Sequence, residues 1–124
     1  MSALGGEPAR DAAAPAIFTV LYRWRLHEGA EASFIDGWSR LSELLLSPGG
    51  SLGSRLHRGP DGWWYGYAQW PSAEARERAF AAGPLDPAAS RKMREAIAES
   101  LPELVLEPVA DFMVLPADRR TALP

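Results

Sequence analysis

The sequence predicts a single small α+β domain, and three observations support this. The chain has 124 residues, which is the length of one domain. Segments rich in β-branched and aromatic residues alternate with segments whose apolar residues recur at helical spacing. Both ends consist mostly of Ala, Gly, Pro and polar residues, without a periodic apolar face. We therefore expect a disordered leader at residues 1–15, a folded domain at 16–116 and a flexible tail at 117–124.

The first strand and the first helix are predicted from composition and periodicity. Residues 17–26 (IFTVLYRWRL) are rich in β-branched and aromatic side chains, which predicts a strand. Residues 30–46 carry apolar side chains at spacings of four, three and four, which predicts an amphipathic helix. These apolar residues are Phe34, Trp38, Leu41 and Leu45. The Ser-Pro-Gly-Gly sequence at 47–50 is expected to end the helix.

A β-hairpin is predicted around the Gly-Pro-Asp-Gly sequence at residues 59–62. Its two strands are residues 51–58 and 63–70. Pro presets φ for the first turn residue, and the second Gly supplies the left-handed residue of a bulged turn. Such a bulge would pair Gly59 with Trp63.

Two short helices and a last strand complete the chain. Ser72 is a hydroxyl N-cap for a helix to about residue 82, and Asp86-Pro87 starts another to about residue 100. The inward residues of the latter are Ala89, Met93 and Ile97. Residues 103–115 predict the last strand, which should be bent or at a sheet edge because it contains Pro108.

The order β-α-β-β-α-α-β is compatible with a compact, right-handed arrangement. It is a ferredoxin-like four-stranded antiparallel sheet with the helices on one face. The first and third strands are central in this topology. They are also the two most aromatic segments of the chain, as the centre of a sheet should be.

Side-chain alternation along the strands separates two faces of the sheet. The face toward the helices receives Phe18, Val20, Tyr22, Trp24, Leu26, Trp64, Gly66, Ala68 and Trp70. A bulged hairpin adds Leu52, Ser54 and Leu56 to this face, whereas an unbulged loop would add Arg55 and His57 instead. We prefer the bulged register because it groups apolar residues together.

The opposite face also carries large apolar side chains, which the helices cannot cover. These are Leu21, Trp63, Tyr65 and Tyr67. Each aromatic ring buries roughly 150–250 Å² when it is packed. A patch of this kind is typical of an interface, so we expect a homodimer in which two sheets pack face to face about a two-fold axis.

Charge and composition argue against several classes of protein. The net charge is −3, and no long basic run is present, which disfavours nucleic-acid and membrane-surface roles. The absence of Cys excludes thiolate catalysis and Cys-based metal sites, and two separated His make a weak metal ligand set. His27 is expected to be solvated. A cytoplasmic location is the default without a signal peptide, and the Arg-rich, Asn-free composition is typical of a GC-rich bacterial genome.

Four basic residues fall on the face opposite the helices. They are Arg23, Arg25, Arg55 and His57. They could bind an anion, but we expect them to pair with acids such as Glu107 or Asp111, because charges at an interface are normally paired.

Two stretches resemble the antibiotic biosynthesis monooxygenase family, whose members are dimeric α+β barrels. They are LYRWRLHEGAEASFIDGW and GSLGSRLHRGPDGWWYGYAQWPS, and the resemblance covers about residues 18–80. It rests on a strand followed by a Gly turn and a helix with Phe34 and Trp38, and on a third strand that ends in Trp70-Pro71-Ser72. The family includes cofactor-independent oxygenases of phenolic or quinone-forming substrates, haem-degrading enzymes and members without an established activity.

The haem-degrading branch of that family is disfavoured. It uses an Asn on the first strand, a Trp at the end of the third, and a His about ten residues later. Here those positions hold Tyr22, Trp70 and Phe80. Without the imidazole, a haem iron has no obvious axial ligand. We therefore expect no cofactor and no metal.

Small residues among aromatic ones on the helix-side face predict a ligand pocket. Tyr22 and Trp70 are the predicted catalytic residues, with Tyr22 able to orient or help deprotonate a phenol. The predicted substrate-binding residues are Trp24, Trp38, Ser54, Trp64, Gly66, Ala68 and Phe80. The alternative is that Trp38, Phe34, Phe80 or Met93 fills this space as ordinary core.

Two functions remain open at this stage. The resemblance implies a small cofactor-independent monooxygenase whose aromatic substrate is itself the reductant of O₂. The other candidate is a non-catalytic ligand-binding or assembly module on the same scaffold, which the lack of a recognisable general base favours. Fold alone does not decide between them.

Overall fold

Seven elements follow one another in the computed structural model, which describes residues 17–46 and 49–114. They are β1 (Phe18–Leu26), α1 (Glu31–Leu46), β2 (Gly53–Arg58), β3 (Trp64–Trp70), α2 (Ala73–Ala81), α3 (Pro87–Ala96) and β4 (Ile97–Leu106). The leader and tail predicted from the sequence lie outside the described residues. Within those residues, no helix is long and apolar enough to cross a membrane.

The strands form one antiparallel sheet in the order β2-β3-β1-β4. β1 and β3 are therefore central, as their aromatic content predicts. β1 pairs with β3 without interruption from Phe18 opposite Trp70 to Trp24 opposite Trp64. The ferredoxin-like α+β fold predicted from the sequence is confirmed.

The hairpin between β2 and β3 has the bulged register. The Gly59 N–H donates to the carbonyl oxygen of Trp63 at 2.8 Å, and Gly62 has a φ of +87°, in the left-handed region. Ser54 consequently pairs with Ala68, and Leu56 pairs with Gly66. Since directly opposed residues share a face, β2 presents these two residues to the helices, and Arg55 and His57 to the opposite face.

The boundary between α3 and β4 differs from the prediction. The helix ends at Ala96, and Ile97, expected inside the helix, is the first residue of the strand and pairs with Leu26. Pro102 lies between the helix and the strand predicted from the sequence, a position that is common for Pro because it usually ends a helix. In fact it lies inside β4, and Pro108 lies beyond the strand. An edge strand tolerates Pro because only one side of it has to be hydrogen-bonded.

β4 carries a bulge opposite Tyr22. Leu21 pairs with Leu104, but Arg23 pairs with Leu101, so Pro102 and Glu103 together face a single residue of β1. A bulge of this kind bends the strand and changes the direction of a side chain. Here it accompanies the approach of Glu103 to the helices.

The core lies between the sheet and the helices. Its buried members are Trp24, Phe34, Trp64 and Ala96. The Phe34 ring meets Trp24 and Trp64 edge-on, with centroids 5.1 and 5.8 Å away. Such pairs add about 0.5–1.5 kcal/mol each to the stabilisation from burial. Phe34 therefore fastens α1 to both central strands.

The predicted helix caps are present and set the directions of the two short helices. The Ser72 hydroxyl accepts from the N–H of Ala75 at 3.0 Å, and the Asp86 carboxylate accepts from the N–H of Ala89 at 3.0 Å. Each cap satisfies a helix N–H group that has no partner within the helix.

α1 and α3 approach closely at Gly37, which is buried. A Cβ at this position would lie 2.8 Å from the carbonyl oxygen of Ala89 and 3.1 Å from the backbone nitrogen of Met93. Both are main-chain atoms and cannot move aside independently of the helix. The spacing of the two helices therefore depends on the missing side chain.

Gly37→Ala should destabilise the protein, although Gly→Ala within a helix ordinarily stabilises it by about 1 kcal/mol. The added methyl forces the helices apart, which typically costs about 1–3 kcal/mol. Urea unfolding followed by circular dichroism measures the difference. Ser33→Ala, on the exposed side of the same helix, is the control and should change stability by less than about 0.5 kcal/mol. A Gly37→Ala protein as stable as the wild type would refute the close-packing argument.

Candidate functional site

A cavity of about 250 Å³ lies between the helix-side face of the sheet and the three helices. Its walls combine aromatic rings from the central strands with apolar residues from α1, α2 and α3. The lining residues are Tyr22, Trp24, Trp38, Leu41, Ser42, Leu45, Ser51, Ser54, Gly66, Tyr67, Ala68, Trp70, Arg76, Phe80 and Met93. Phe80 is exposed and lies at its rim, and Ser54 is exposed at the open edge of its floor.

The space exists because small residues meet at the floor of the cavity. Ser54 pairs with Ala68 across β2 and β3, so neither strand sends a large side chain toward the helices at this point. Trp38 and Met93, which could have filled the gap as core, instead line it. Phe34 packs away from the cavity, in the core cluster with Trp24 and Trp64.

Gly66 has a different role from the one predicted. Its lack of a side chain does not simply widen the cavity, because a Cβ there would lie 2.8 Å from Cη2 and 2.9 Å from Cζ3 of Trp24. The Trp24 indole therefore lies over Gly66 and forms part of the wall itself. The Tyr22 ring stacks on it, with centroids 5.6 Å apart and planes 5° from parallel.

Eight of the nine residues predicted from the sequence line this cavity, namely Tyr22, Trp24, Trp38, Ser54, Gly66, Ala68, Trp70 and Phe80. Trp64 does not. It is 5% exposed, packs against Phe34, and has the Arg58 guanidinium 4.8 Å from its ring centroid. Alternation put Trp64 on the correct face, but α1 covers it completely.

Trp70 supplies an apolar wall at the end of β3. It is 2% exposed, and its ring meets Phe80 edge-on, with centroids 5.8 Å apart. Its indole N–H is buried and has no acceptor among the described residues. Phe80 occupies the position where the resemblance would place a haem-ligating His, and here it closes one side of the cavity.

Arg76 is the residue that the sequence analysis missed. Its Nη2 donates to the Tyr22 hydroxyl oxygen at 2.8 Å and to Oε1 of Glu103 at 2.7 Å. The guanidinium also lies 5.2 Å from the centroid of the Phe80 ring. A signal existed: Arg76 is one turn after the Ser72 cap and one turn before Phe80, so all three share a face of α2.

Tyr22 is a neutral hydrogen-bond donor and not a base. Burial raises the pKa of its hydroxyl above the ordinary value, and the hydrogen bond and charge of Arg76 offset only part of that rise. Because Arg76 donates to the phenol oxygen, the hydroxyl hydrogen is left to donate elsewhere, and it has no acceptor among the described residues. These two donors, one of them charged, form a polar end of the cavity.

Two of the four basic residues of the opposite face have partners, but not the acids named in the prediction. Arg25 pairs with Glu99 at 3.0 Å, and Arg23 donates to the carbonyl oxygen of Pro102 at 2.9 Å. Neither pairs with Glu107 or Asp111, because β4 begins six residues earlier than predicted and brings other groups beside β1. His27 is exposed, as predicted.

Solved structures with this arrangement of strands and helices include SnoaB from Streptomyces nogalater, a cofactor-independent oxygenase. It superposes with a TM-score of 0.65 at 21% identity, over 78% of this chain and 97% of SnoaB. A protein from Chloroflexus aurantiacus, provisionally described as an antibiotic biosynthesis monooxygenase, superposes with a TM-score of 0.65 at 16% identity, over 78% and 97%. The chain has the antibiotic biosynthesis monooxygenase fold.

Sequence comparison adds no further relationship. No protein-family model matches the chain, and no curated protein matches it significantly. A protein from Methanosarcina mazei with a TM-score of 0.63 shares only 9% identity over 74% of this chain and 92% of its own. At these identities the likeness establishes the fold, and the chemistry has to be argued from the residues.

The Tyr22 hydroxyl should titrate above the ordinary tyrosine value of about 10. Because the folded state favours the neutral phenol, this contribution to stability is complete below pH 10 and is lost as the pH rises through the Tyr22 pKa. Ultraviolet absorbance of tyrosinate against pH measures the titration. The Tyr22→Phe variant should lack this titration, and it should also lack the accompanying loss of stability at high pH.

Tyr65→Phe is the matched control. A hydrogen bond to Asp61 raises the pKa of Tyr65 as well, but this residue lies on the opposite face of the sheet. Its replacement should remove a second titration and leave that of Tyr22 unchanged. If the titration lost in Tyr22→Phe had a pKa at or below the ordinary tyrosine value, burial would not favour the neutral form of the Tyr22 side chain.

Proposed function

We propose that this protein is a small cofactor-independent monooxygenase that acts on a small aromatic, phenolic and quinone-forming substrate. The observation that carries the proposal is the cavity itself, with flat aromatic walls and a charged polar end made by Tyr22 and Arg76. A planar ring would stack between the walls, and its oxygen would accept hydrogen bonds at the polar end.

The size of the cavity supports a ligand of one or two fused rings. A protein cavity of about 150 Å³ accommodates benzene. The space here is about 250 Å³, which is larger by roughly one further ring. Its apolar walls favour a ligand that loses water-exposed carbon surface when it enters, and the few polar groups would set its orientation.

The proposed reaction needs no redox group from the protein. A phenol that becomes a quinone loses four electrons in total, and one O₂ accepts them. One oxygen atom enters the ring, and the other leaves as water together with the ring hydrogen and the hydroxyl hydrogen. The protein contributes enclosure, orientation and stabilisation of negative charge on the phenolic oxygen. The likeness of the fold to SnoaB, a cofactor-independent oxygenase, supports this reading.

A non-catalytic ligand-binding module is the second candidate. The observation in its favour is that no carboxylate or imidazole occurs among the described residues lining the cavity, so none of them is an evident general base. Such a module would bind the same kind of planar ligand without consuming O₂.

We also infer that the protein is a homodimer that uses the sheet face opposite the helices. Leu21, Trp63, Tyr65 and Tyr67 lie on this face and are only half-buried. Leu104 pairs with Leu21 and is 41% exposed, so the patch continues onto β4. A second copy of the same face is self-complementary, which is the requirement of a two-fold interface.

The ligand prediction is tested with 1-naphthol. We expect it to quench tryptophan fluorescence, because three indoles line the cavity. Ala68→Leu should abolish binding by filling the floor. Gly66→Leu is a poorer blocking variant, because its side chain would first displace the Trp24 ring.

An oxygen electrode should record oxygen uptake with this compound and without added cofactor. Tyr22→Phe should slow uptake about tenfold or more while weakening binding less. Tyr65→Phe, outside the cavity, is the control.

Three outcomes separate the candidates. Binding with oxygen uptake supports the monooxygenase, and binding without uptake for any electron-rich phenol supports the non-catalytic module. Binding that survives Ala68→Leu would show that the ligand lies outside the cavity, which would contradict both proposed functions.

The dimer prediction is tested by light scattering after size exclusion. The expected mass is twice the 13.5 kDa of one chain. Tyr65→Glu should shift the protein toward monomer, because it would place a carboxylate in the apolar interface of each protomer. Ser39→Glu, an equal charge change on the exposed side of α1, should leave the dimer intact. A wild-type monomer at tens of micromolar would overturn the prediction.

A further inference from the structure

Arg76 has an unusual environment for an arginine. It is the one charged side chain among the described residues that line the cavity, and it is 17% exposed. Both of its hydrogen bonds, to Tyr22 and to Glu103, use the same nitrogen, Nη2. Its Nε is buried and has no hydrogen-bond partner among the described residues. Part of the donor capacity of the guanidinium is therefore unused within the protein.

The charged and titratable groups at this end come from three elements. Tyr22 is supplied by β1, Arg76 by α2 and Glu103 by β4. The Glu103 side chain is 40% exposed, so the neutralising carboxylate lies on the solvent side of the guanidinium. Water screens the interaction of Arg76 with Glu103 more than it screens the interaction of Arg76 with a charge inside the aromatic cavity. The cavity side of Arg76 consequently keeps a positive potential.

We infer that the cavity selects its aromatic ligand as an anion, with the negative oxygen held jointly by Arg76 and the hydroxyl of Tyr22. The inference rests on the proposed function, and it narrows the substrate class to phenols that bind as phenolates. Arg76 is thereby a binding residue that determines specificity. For a phenol, the O–H bond ionises in solution, the proton goes to water, and the site binds the resulting phenolate.

This arrangement also accounts for the lack of a general base among the described cavity residues. A site that stabilises the anion by charge does not need a side chain to remove the proton. An adjacent guanidinium commonly lowers the pKa of an acidic group by about 1–3 units. A phenolate is also the form of a phenol that gives an electron to O₂ most readily. Binding of the anion and the proposed reaction therefore both require the positive charge of Arg76 beside the phenolic oxygen.

The probe for this inference is 4-nitrophenol, because its phenolate absorbs visible light and its solution pKa lies near neutrality. Absorbance titration of the bound probe gives its pKa directly. We expect that pKa to be at least about one unit below the solution value, which corresponds to about tenfold tighter binding of the anion than of the neutral phenol. Glu103→Gln should lower it further, because the competing carboxylate is removed.

Variants at Arg76 separate charge from packing. Arg76→Met should return the pKa of the bound probe to at least the solution value, and Arg76→Lys should keep part of the shift because it keeps the charge. Arg78→Met, an exposed arginine on the same helix, is the matched control and should have no effect. If circular dichroism shows that Arg76→Met does not fold, Arg76→Lys and Glu103→Gln test whether charge sets the pKa of the bound probe.

Each result supports or overturns the inference. A bound probe with an unchanged or raised pKa in the wild type, or an unaltered shift in Arg76→Lys and Glu103→Gln, overturns it while leaving the cavity as a ligand site. No binding of either form of the probe overturns both the inference and the proposed site. Oxygen uptake is measured separately, so a missing oxygenase activity with a lowered probe pKa would remove the proposed reaction and leave anion selection standing.

Discussion

The Trp24 indole lies across the backbone of Gly66, and the arrangement of both core and cavity depends on this contact. A side chain at position 66 would meet the ring within 3 Å, so the indole can lie flat on the sheet only above glycine. From there it receives the edge of Phe34 on one side and stacks with Tyr22 on the other. One ring therefore separates a filled half of the interior from an open half.

The polar end of the cavity is built from elements that are far apart in the sequence. The hydroxyl cap at Ser72 starts α2 at a defined residue, and Arg76 follows one turn later, above Tyr22. Glu103 reaches the same guanidinium from the edge strand. Neither partner is the product of a local motif. The polar end is a consequence of the topology, which brings one side chain of α2 to both β1 and β4.

Period-two alternation predicted most of the fold and of the cavity wall. It assigned Tyr22 and Trp70 to the helix-side face of the sheet. The turn residues predicted the hairpin register, which assigned Ser54 to the same face. Two features escaped it for physical reasons. A proline marks the end of a helix in most contexts, and only the unpaired side of an edge strand allowed Pro102 to lie within β4. Arg76 was overlooked because a charged residue on a short helix is ordinarily solvated, and its burial depends on the position of Phe80 and Glu103.

The bulge in β4 has a consequence for how this chain compares with related sequences. Val20 pairs with Val105, and Trp24 pairs with Ser100, so five steps along β4 match four along β1. Removing one residue between them would replace the bulge with a regular pair, a single residue of β4 opposite Tyr22, and would leave the pairs on both sides unchanged. In an alignment of homologues, a single-residue gap at this point would therefore mark chains whose edge strand is regular at this point and whose pairing with β1 is otherwise the same. In such a chain, the one position of β4 whose side chain shares a face with Tyr22 at this point is the residue directly opposite it, so a glutamate would have to occupy that position to meet the guanidinium.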